Sequence, residues 1–339
     1  MKIIRAGHEH ISKTGVTPYQ FIERVGRTCY KSEDKITEDS AVKFVKGLVS
    51  RGHTAMIEHF WVHLSYSGDY RILYDKIEDF VTNDLNDLGD YSTLFRFMQV
   101  TNDIKSKTVL LSCPIRVFTE LSNRKLVQDN IPLLIREMFH AVQKEYFDFF
   151  NETATFFRED RVLTNQFVVW NESDFIFMMK EAGLSEQEIM KHNTHTFNFI
   201  CNRGVSHELV RHRPCSFAQE STRYCNYSKD KFGKEITVIE PLWLSGKNVL
   251  EWEDWERAIR TSEMQYFKLL DKGWSPQEAR GVLPNDLKTE VVVTANETEW
   301  QHVVNLRSKQ TTGKAHPQMV EVMTPVYEEL KVLSEGRIK

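Results

Sequence analysis

The sequence predicts an α+β fold, a mixed sheet flanked by helices, and three observations carry that expectation. Capped amphipathic stretches recur near 17–29, 41–49, 253–272 and 296–307, each with apolar residues at helical spacing. Apolar and polar residues alternate from Phe60 to Tyr66, as they do in a strand with two unlike faces. The run TEVVVTAN reads as a further strand leading into a helix cap at Asn296. Strands are therefore expected near 60–67, 197–202 and 289–295. A chain of 339 residues with 41% hydrophobic content can bury a large core. One large domain or two smaller ones fit that length, and 1–339 is taken as one.

The N-terminal stretch MKIIRAGHEHISK has no apolar signal-like region, and no apolar run approaches the roughly eighteen residues of a membrane span. A cytoplasmic location is the expectation, with no membrane partner. A net charge of −4, from 44 basic and 48 acidic residues, gives no general field for nucleic acid, so any anion site must be local. The five cysteines, Cys29, Cys113, Cys201, Cys215 and Cys225, form no CxxC pair, which points to reduced thiols and no zinc site.

Thr17 can cap a first helix, with Pro18 at its first position and Gln20 completing a capping box. Phe21, Ile22, Val25 and Cys29 form its buried stripe. A second helix carries Ala41, Val42, Val45, Leu48 and Val49, and Gly52 is its stop. The strand from Phe60 is entered through a polar corner of His53, Glu58 and His59, which has metal-ligand types without metal-ligand spacing; a hydrogen-bonded corner is expected and no metal. Between 68 and 195 lies a segment without repeat or catalytic constellation, whose clearest feature is an amphipathic helix over 132–150 built on Leu134, Ile135, Met138, Phe139, Val142, Tyr146 and Phe149. From it, TVLLSCPIRVFTEL is expected to bring Arg116 towards the rest of the core. Further on, Trp255, Ile259, Tyr266 and Leu270 form a helical stripe closed by Gly273. Ser275, Pro276 and Glu278 then start the short helix SPQEARGVLP, and Asn296 caps a helix with Glu299 at its third position and Trp300, Val303, Val304 and Arg307 in one stripe.

The chemistry concentrates in RHRPCSFAQESTRY, residues 211–224. The upstream GVSHELVRHR reads as a short helix with Val205, Leu209 and His212 on one side, and Pro214 disfavours helical geometry at Arg213. The triplet Arg211, His212 and Arg213 is thus expected to close a helix, with loop beyond it. Cations in a last helical turn are ordinary. The loop is not, because Ser216, Gln219, Ser221, Thr222 and Arg223 offer more donors than a short loop can satisfy internally. Such a set suits a phosphorylated ligand, whose oxygens take charge-assisted hydrogen bonds.

The spacing of Arg211, His212, Arg213, Ser216, Ser221 and Arg223 resembles the signature of the flavin-dependent thymidylate synthases. CYKS at 29–32, GHTAMIEH at 52–59, ARGVLP, TAN and VVNLR resemble that family's flanking segments, with Ala55 departing from the serine of the second. The resemblance implies a catalytic domain that reductively methylates deoxyuridine monophosphate (dUMP) to thymidine monophosphate, with flavin adenine dinucleotide (FAD) as redox cofactor, NADPH as reductant and methylenetetrahydrofolate as carbon donor. It implies that His53, Arg211, His212, Arg213, Gln219, Asn296 and His302 hold the flavin. It also implies that Glu208, Arg211, Gln219, Ser221, Arg223, Arg280 and Arg307 bind the nucleotide, with Arg307 as electrostatic catalyst at the uracil edge and Ser221 orienting the substrate. A homotetramer with shared sites follows from the same resemblance. The stretch 68–195 then stands as a largely helical insertion relative to short members.

Gln219 stands where many members have glutamate, and Glu208 where short members often have glutamine. A carboxylate beside a phosphate is repulsive unless an arginine bridges them, so Glu208 is expected to face Arg211 or Arg223. Cys215, after Pro214 and beside a helix end rich in arginine, offers a rival thiol mechanism, ranked below the flavin one. Binding of single-stranded nucleic acid through Tyr224 and Tyr227 lacks a wider basic surface, and a non-catalytic nucleotide sensor would need the same pocket.

Overall fold

The computed structural model describes residues 1–68, 71–73, 97–103, 105–123, 133–146, 149–150 and 166–339. Helix α1 (Pro18–Tyr30) starts as its sequence dictates: Thr17 Oγ1 accepts from the Gln20 N–H at 3.2 Å and Gln20 Oε1 accepts from the Thr17 N–H at 2.9 Å. Its stripe of Phe21, Ile22, Val25 and Cys29 is buried. Helix α2 (Ser40–Ser50) packs on it so closely that a Cβ on Gly26 would lie 2.7 Å from Phe44 Cε1. Val42 faces outward, and Gly52 takes φ +69° just beyond the helix end.

Ten strands are placed among the described residues: β1 (Lys2–Ile4), β2 (Gly7–His10), β3 (Trp61–Ser67), β4 (Gln99–Asp103), β5 (Thr108–Pro114), β6 (Phe167–Trp170), β7 (Thr194–Asn202), β8 (Ser216–Gln219), β9 (Thr237–Ile239) and β10 (Lys288–Asn296). The three expected strands form, but they do not share one mixed sheet. β7 and β10 lie in an antiparallel sheet of order β2-β7-β10-β8, and β3 lies in a second antiparallel sheet of order β4-β5-β3-β6. Among the described residues the parallel pairing is confined to β1 and β9. The separation follows from partners, because both edges of β3 bond to strands drawn from 68–195.

Those partners also bury β3 on both faces, where alternation alone predicts one. Val62, Leu64 and Tyr66 join the core of α1 and α2. The other face turns inward with some of its polar groups paired: His63 Nδ1 meets Ser112 Oγ at 2.8 Å, and Trp170 Nε1–H donates to Ser65 Oγ at 2.8 Å, while His63 Nε2 and Trp61 Nε1 are buried without a hydrogen bond. The stretch 68–195 thus contributes strands as well as helices α3 (Arg116–Asn123), α4 (Leu133–Glu145), α5 (Glu172–Glu181) and α6 (Glu186–His192). The expected helix over 132–150 forms as α4 but stops at Glu145; Met138, Phe139 and Val142 are buried on it as its pattern requires, Phe149 is buried beyond its end, and Pro132 and the side chain of Ile135 lie outside the described residues.

A second core surrounds Trp300 between β7, β10, α10 (Glu297–Arg307) and α11 (Pro317–Leu333). Helix α7 (Arg203–Leu209) leaves β7 through Asn202, whose Oδ1 accepts from the Val205 N–H at 2.9 Å. Helix α8 (Val249–Asp271) begins a turn earlier than its apolar stripe does, because Asn248 and Glu251 form a capping box, and it ends at Gly273 with φ +88°. One turn of helix, α9 (Pro276–Ala279), and a tighter turn over 280–282 make up SPQEARGVLP. All five cysteines are free and buried, and no helix among the described residues is long and apolar enough to cross a membrane.

Candidate functional site

Helix α7 ends at Leu209, so the triplet Arg211, His212 and Arg213 does not close it but lies in the bend beyond. Nor is the rest of the motif loop throughout. Ser216–Gln219 is the edge strand β8, paired with Val291–Thr294 of β10, because its backbone donors find a ladder before solvent. The Arg213–Pro214 peptide between bend and strand is cis.

The bend folds His212 inward against the last turn of α10. His212 Nε2 accepts from Arg307 Nε–H at 2.8 Å, and Arg307 Nη1–H donates to Glu208 Oε2 at 2.8 Å. Glu208 therefore faces Arg307 and neither Arg211 nor Arg223, since the C-terminal ends of α7 and α10 come within ion-pair reach of each other. Burial first, then the Arg307 guanidinium and His302, bring the His212 pKa down to about 4. The imidazole is thus neutral near pH 7 and has the lone pair this bond needs. The exposed His302 ring stands edge-on at 6.3 Å from His212.

A second group forms where the motif meets the N-terminal helices. The Ser221 N–H donates to the Cys29 carbonyl at 3.0 Å, and Ser221 Oγ accepts from the Arg223 N–H at 3.3 Å. Arg223 stacks over the Tyr224 ring, Tyr224 tilts against Tyr30, and the Tyr30 hydroxyl reaches His53 Nδ1 at 3.4 Å. Arg280 Nη1–H donates to Thr222 Oγ1 at 3.2 Å. The segments 29–32, 52–59, 219–224 and 280 thereby come together. Tyr30 was missed as a site candidate, although it stands inside a segment that carries the family resemblance, and Thr222, one of the expected loop donors, is here the partner of Arg280.

Two expected ligand residues spend their side chains internally. Gln219 Nε2–H donates to Ser206 Oγ and Thr289 Oγ1, which fixes β8 against α7. Asn296 Oδ1 caps α10 through the Glu299 N–H at 2.9 Å, and its Nδ2–H donates to the Lys191 carbonyl at 3.0 Å. By contrast Arg211, Arg213, Arg223 and Arg280 all project to the surface, and the guanidinium groups of Arg211 and Arg213 make no bond to other described residues. Such a set fits a ligand carrying phosphate or pyrophosphate, because guanidinium forks match those oxygens in pairs.

The corner of His53, Glu58 and His59 is hydrogen-bonded and does not converge. His59 is fully buried with Nδ1 at 2.7 Å from Thr294 Oγ1, and burial pushes its pKa down to about 3. Glu58 pairs with Arg116, which also donates to Glu120. Arg116 does reach the shared core: with Glu58, Arg213, Pro214 and Cys215 it lines a cavity of about 590 Å³. Cys215 itself is buried, and burial pushes its thiol up to about 12, so the neighbouring arginines do not make it a thiolate.

The family model described as thymidylate synthase complementing protein matches residues 159–333, just over half of the chain, and leaves 29–32 and 52–59 outside. A flavin-dependent thymidylate synthase of Pyrococcus abyssi is 29% identical over 180 residues, 52% of this chain and 71% of that protein. One of Geobacter sulfurreducens is 33% identical over 132 residues, 39% of this chain and 55% of that protein. One of Sulfolobus acidocaldarius is 35% identical over 120 residues, 35% of this chain and 44% of that protein. Apart from the first, the chain spans about half the length of the relatives it matches.

Proposed function

The chain belongs to the thymidylate synthase complementing protein family, and from that premise we propose that it is a flavin-dependent thymidylate synthase converting dUMP to thymidine monophosphate. The observation that carries the proposal is the Arg307 guanidinium held by His212 of the RHR triplet, which joins two segments of the family-matched region that lie 95 residues apart in the chain. A fixed cation there can stabilise negative charge that develops on a pyrimidine ring.

In this reading Arg211, Arg213, His212, His302 and His53 hold FAD, with the exposed guanidinium groups on its phosphates. Bound flavin supplies the reducing equivalents of the reaction. Arg223 and Arg280 bind the nucleotide phosphate, and Thr222 keeps Arg280 in place. Ser221 orients the nucleotide by a single hydroxyl. Methylenetetrahydrofolate serves as carbon donor and NADPH as reductant. Asn296 and Gln219 act at one remove, by fixing α10 and β8. The bonded contacts fall into two groups, around Arg307 and around Ser221, and both present their arginines outward, which supports a homotetramer whose sites are completed between subunits.

The test is turnover and colour. Purified protein is expected to carry FAD, identified after denaturation, and to form thymidine monophosphate from dUMP, methylenetetrahydrofolate and NADPH. A colourless protein that takes up no added flavin and makes no product overturns the proposal.

A further inference from the structure

An arginine in the last turn of a helix ordinarily samples many rotamers, and holding it costs side-chain entropy. Arg307 is held at two atoms from outside its own helix. His212, from the bend, takes Nε–H at 2.8 Å, and Glu208, from α7, takes one Nη1–H at 2.8 Å. A guanidinium has five N–H donors, so the remaining ones stay available to a ligand. The Glu208 carboxylate is committed to this bond, and a nucleotide phosphate would repel it in any case.

We propose that Glu208 is a positioning residue: with the His212 imidazole it fixes the plane and direction of the Arg307 guanidinium, and it does not itself contact the nucleotide. This rests on the proposed function and reassigns a residue that the family resemblance places on the substrate. Both anchors are set by the fold. Glu208 stands on the same short helix as Ser206, whose Oγ accepts from Gln219. His212 is kept neutral by burial and so accepts without competing for the carboxylate. Removing the carboxylate frees the guanidinium to rotate about its remaining contact, and the cation then meets the ring in the wrong direction for part of the time. A loss of that kind appears in the chemical step and not in ground-state binding.

A double-mutant cycle on the flavin-loaded protein, read in single turnover of dUMP, tests this. Glu208→Ala is expected to slow the chemical step roughly tenfold or more while nucleotide affinity stays within about threefold. Glu208→Gln, which still offers an oxygen to Nη1–H, is expected to restore most of the rate. Added to Arg307→Ala, Glu208→Ala is expected to cost nothing further, because the two act as a unit. Additive losses, or a loss confined to nucleotide affinity, would overturn the positioning role. A crystal structure of Glu208→Ala decides the point independently of turnover: a displaced guanidinium is expected, and one still seated on His212 Nε2 in the same plane refutes the inference. If the wild type binds no flavin and turns over no dUMP, the proposed function fails, and the crystal structure still decides whether Glu208 aims Arg307.

Discussion

At the scale of single residues the site turns on what each side chain is free to do. Arg307 bridges two acceptors on different elements, a task that the point charge of lysine cannot share. Arg307→Lys is therefore expected to lower the rate of the chemical step more than it weakens nucleotide binding. Ser221 contributes one neutral hydroxyl, so Ser221→Ala should lose several-fold in affinity, about 1 kcal/mol, and remain active. Single-turnover methyl transfer and nucleotide titration of the oxidised protein measure the two effects separately. An inactive Ser221→Ala that binds normally, beside an unimpaired Arg307→Lys, would reverse the roles. Cys215 is buried and protonated, with its thiol pushed up to about 12. Cys215→Ala should therefore keep most of the turnover, and complete loss with flavin and nucleotide still bound would restore the thiol mechanism.

At the scale of elements the same side chain can serve the fold where the family resemblance assigns it to a ligand. Asn296 stands where the family resemblance places a flavin residue, yet its Oδ1 caps α10 and its Nδ2–H is given to the Lys191 carbonyl in the last turn of α6. Loss of such a cap costs about 1 to 2 kcal/mol. The lost bond to Lys191 adds a further contribution of about 1 kcal/mol. Asn296→Ala is expected to lower the thermal midpoint accordingly and to leave flavin affinity within about threefold, as read by denaturation and flavin titration. An unchanged midpoint with lost flavin would return the residue to the ligand. Gln219 follows the same logic, since its amide ties β8 to α7 and to β10.

For the whole molecule, joining two sheets has placed several imidazoles where water does not reach. His63 and His192 meet at Ser112 Oγ between β3, β5 and α6, and His59 bonds to Thr294 of β10. Burial brings His63 down to about 4 and His59 and His192 to about 3, and His212 lies at about 4. These folded-state values lie below the ordinary 6.5 or so of an unfolded histidine. The unfolded chain therefore binds protons first as pH falls. Stability is full above about 6.5, and between there and about 4 each such group removes on the order of 1.4 kcal/mol per pH unit. Urea unfolding at pH 7, 6 and 5 should show a falling midpoint, above the range from about 4.5 down to about 2 in which a carboxylate such as Glu172, held at about 2, loses its contribution. A midpoint that is flat from pH 7 to pH 5 would contradict the burial of these rings.

The sequence by itself determined what is local. Thr17 with Gln20, Asn296 with Glu299, and the turn at Gly273 were legible because a cap and its partner lie within three or four residues of each other. The spacing of Arg211 to Arg223 was legible because one bend and one short strand carry it. Tertiary structure decided what depends on residues far apart in the chain. Only folding puts His212 and Glu208 on Arg307, gives β3 its partners from 68–195, and turns both faces of that strand inward. Alternation records that a strand has two unlike faces, but what covers each face is set by elements that enter from distant parts of the chain. The partner of a charged side chain is likewise chosen by which helices pack together, and no spacing in the sequence encodes that choice.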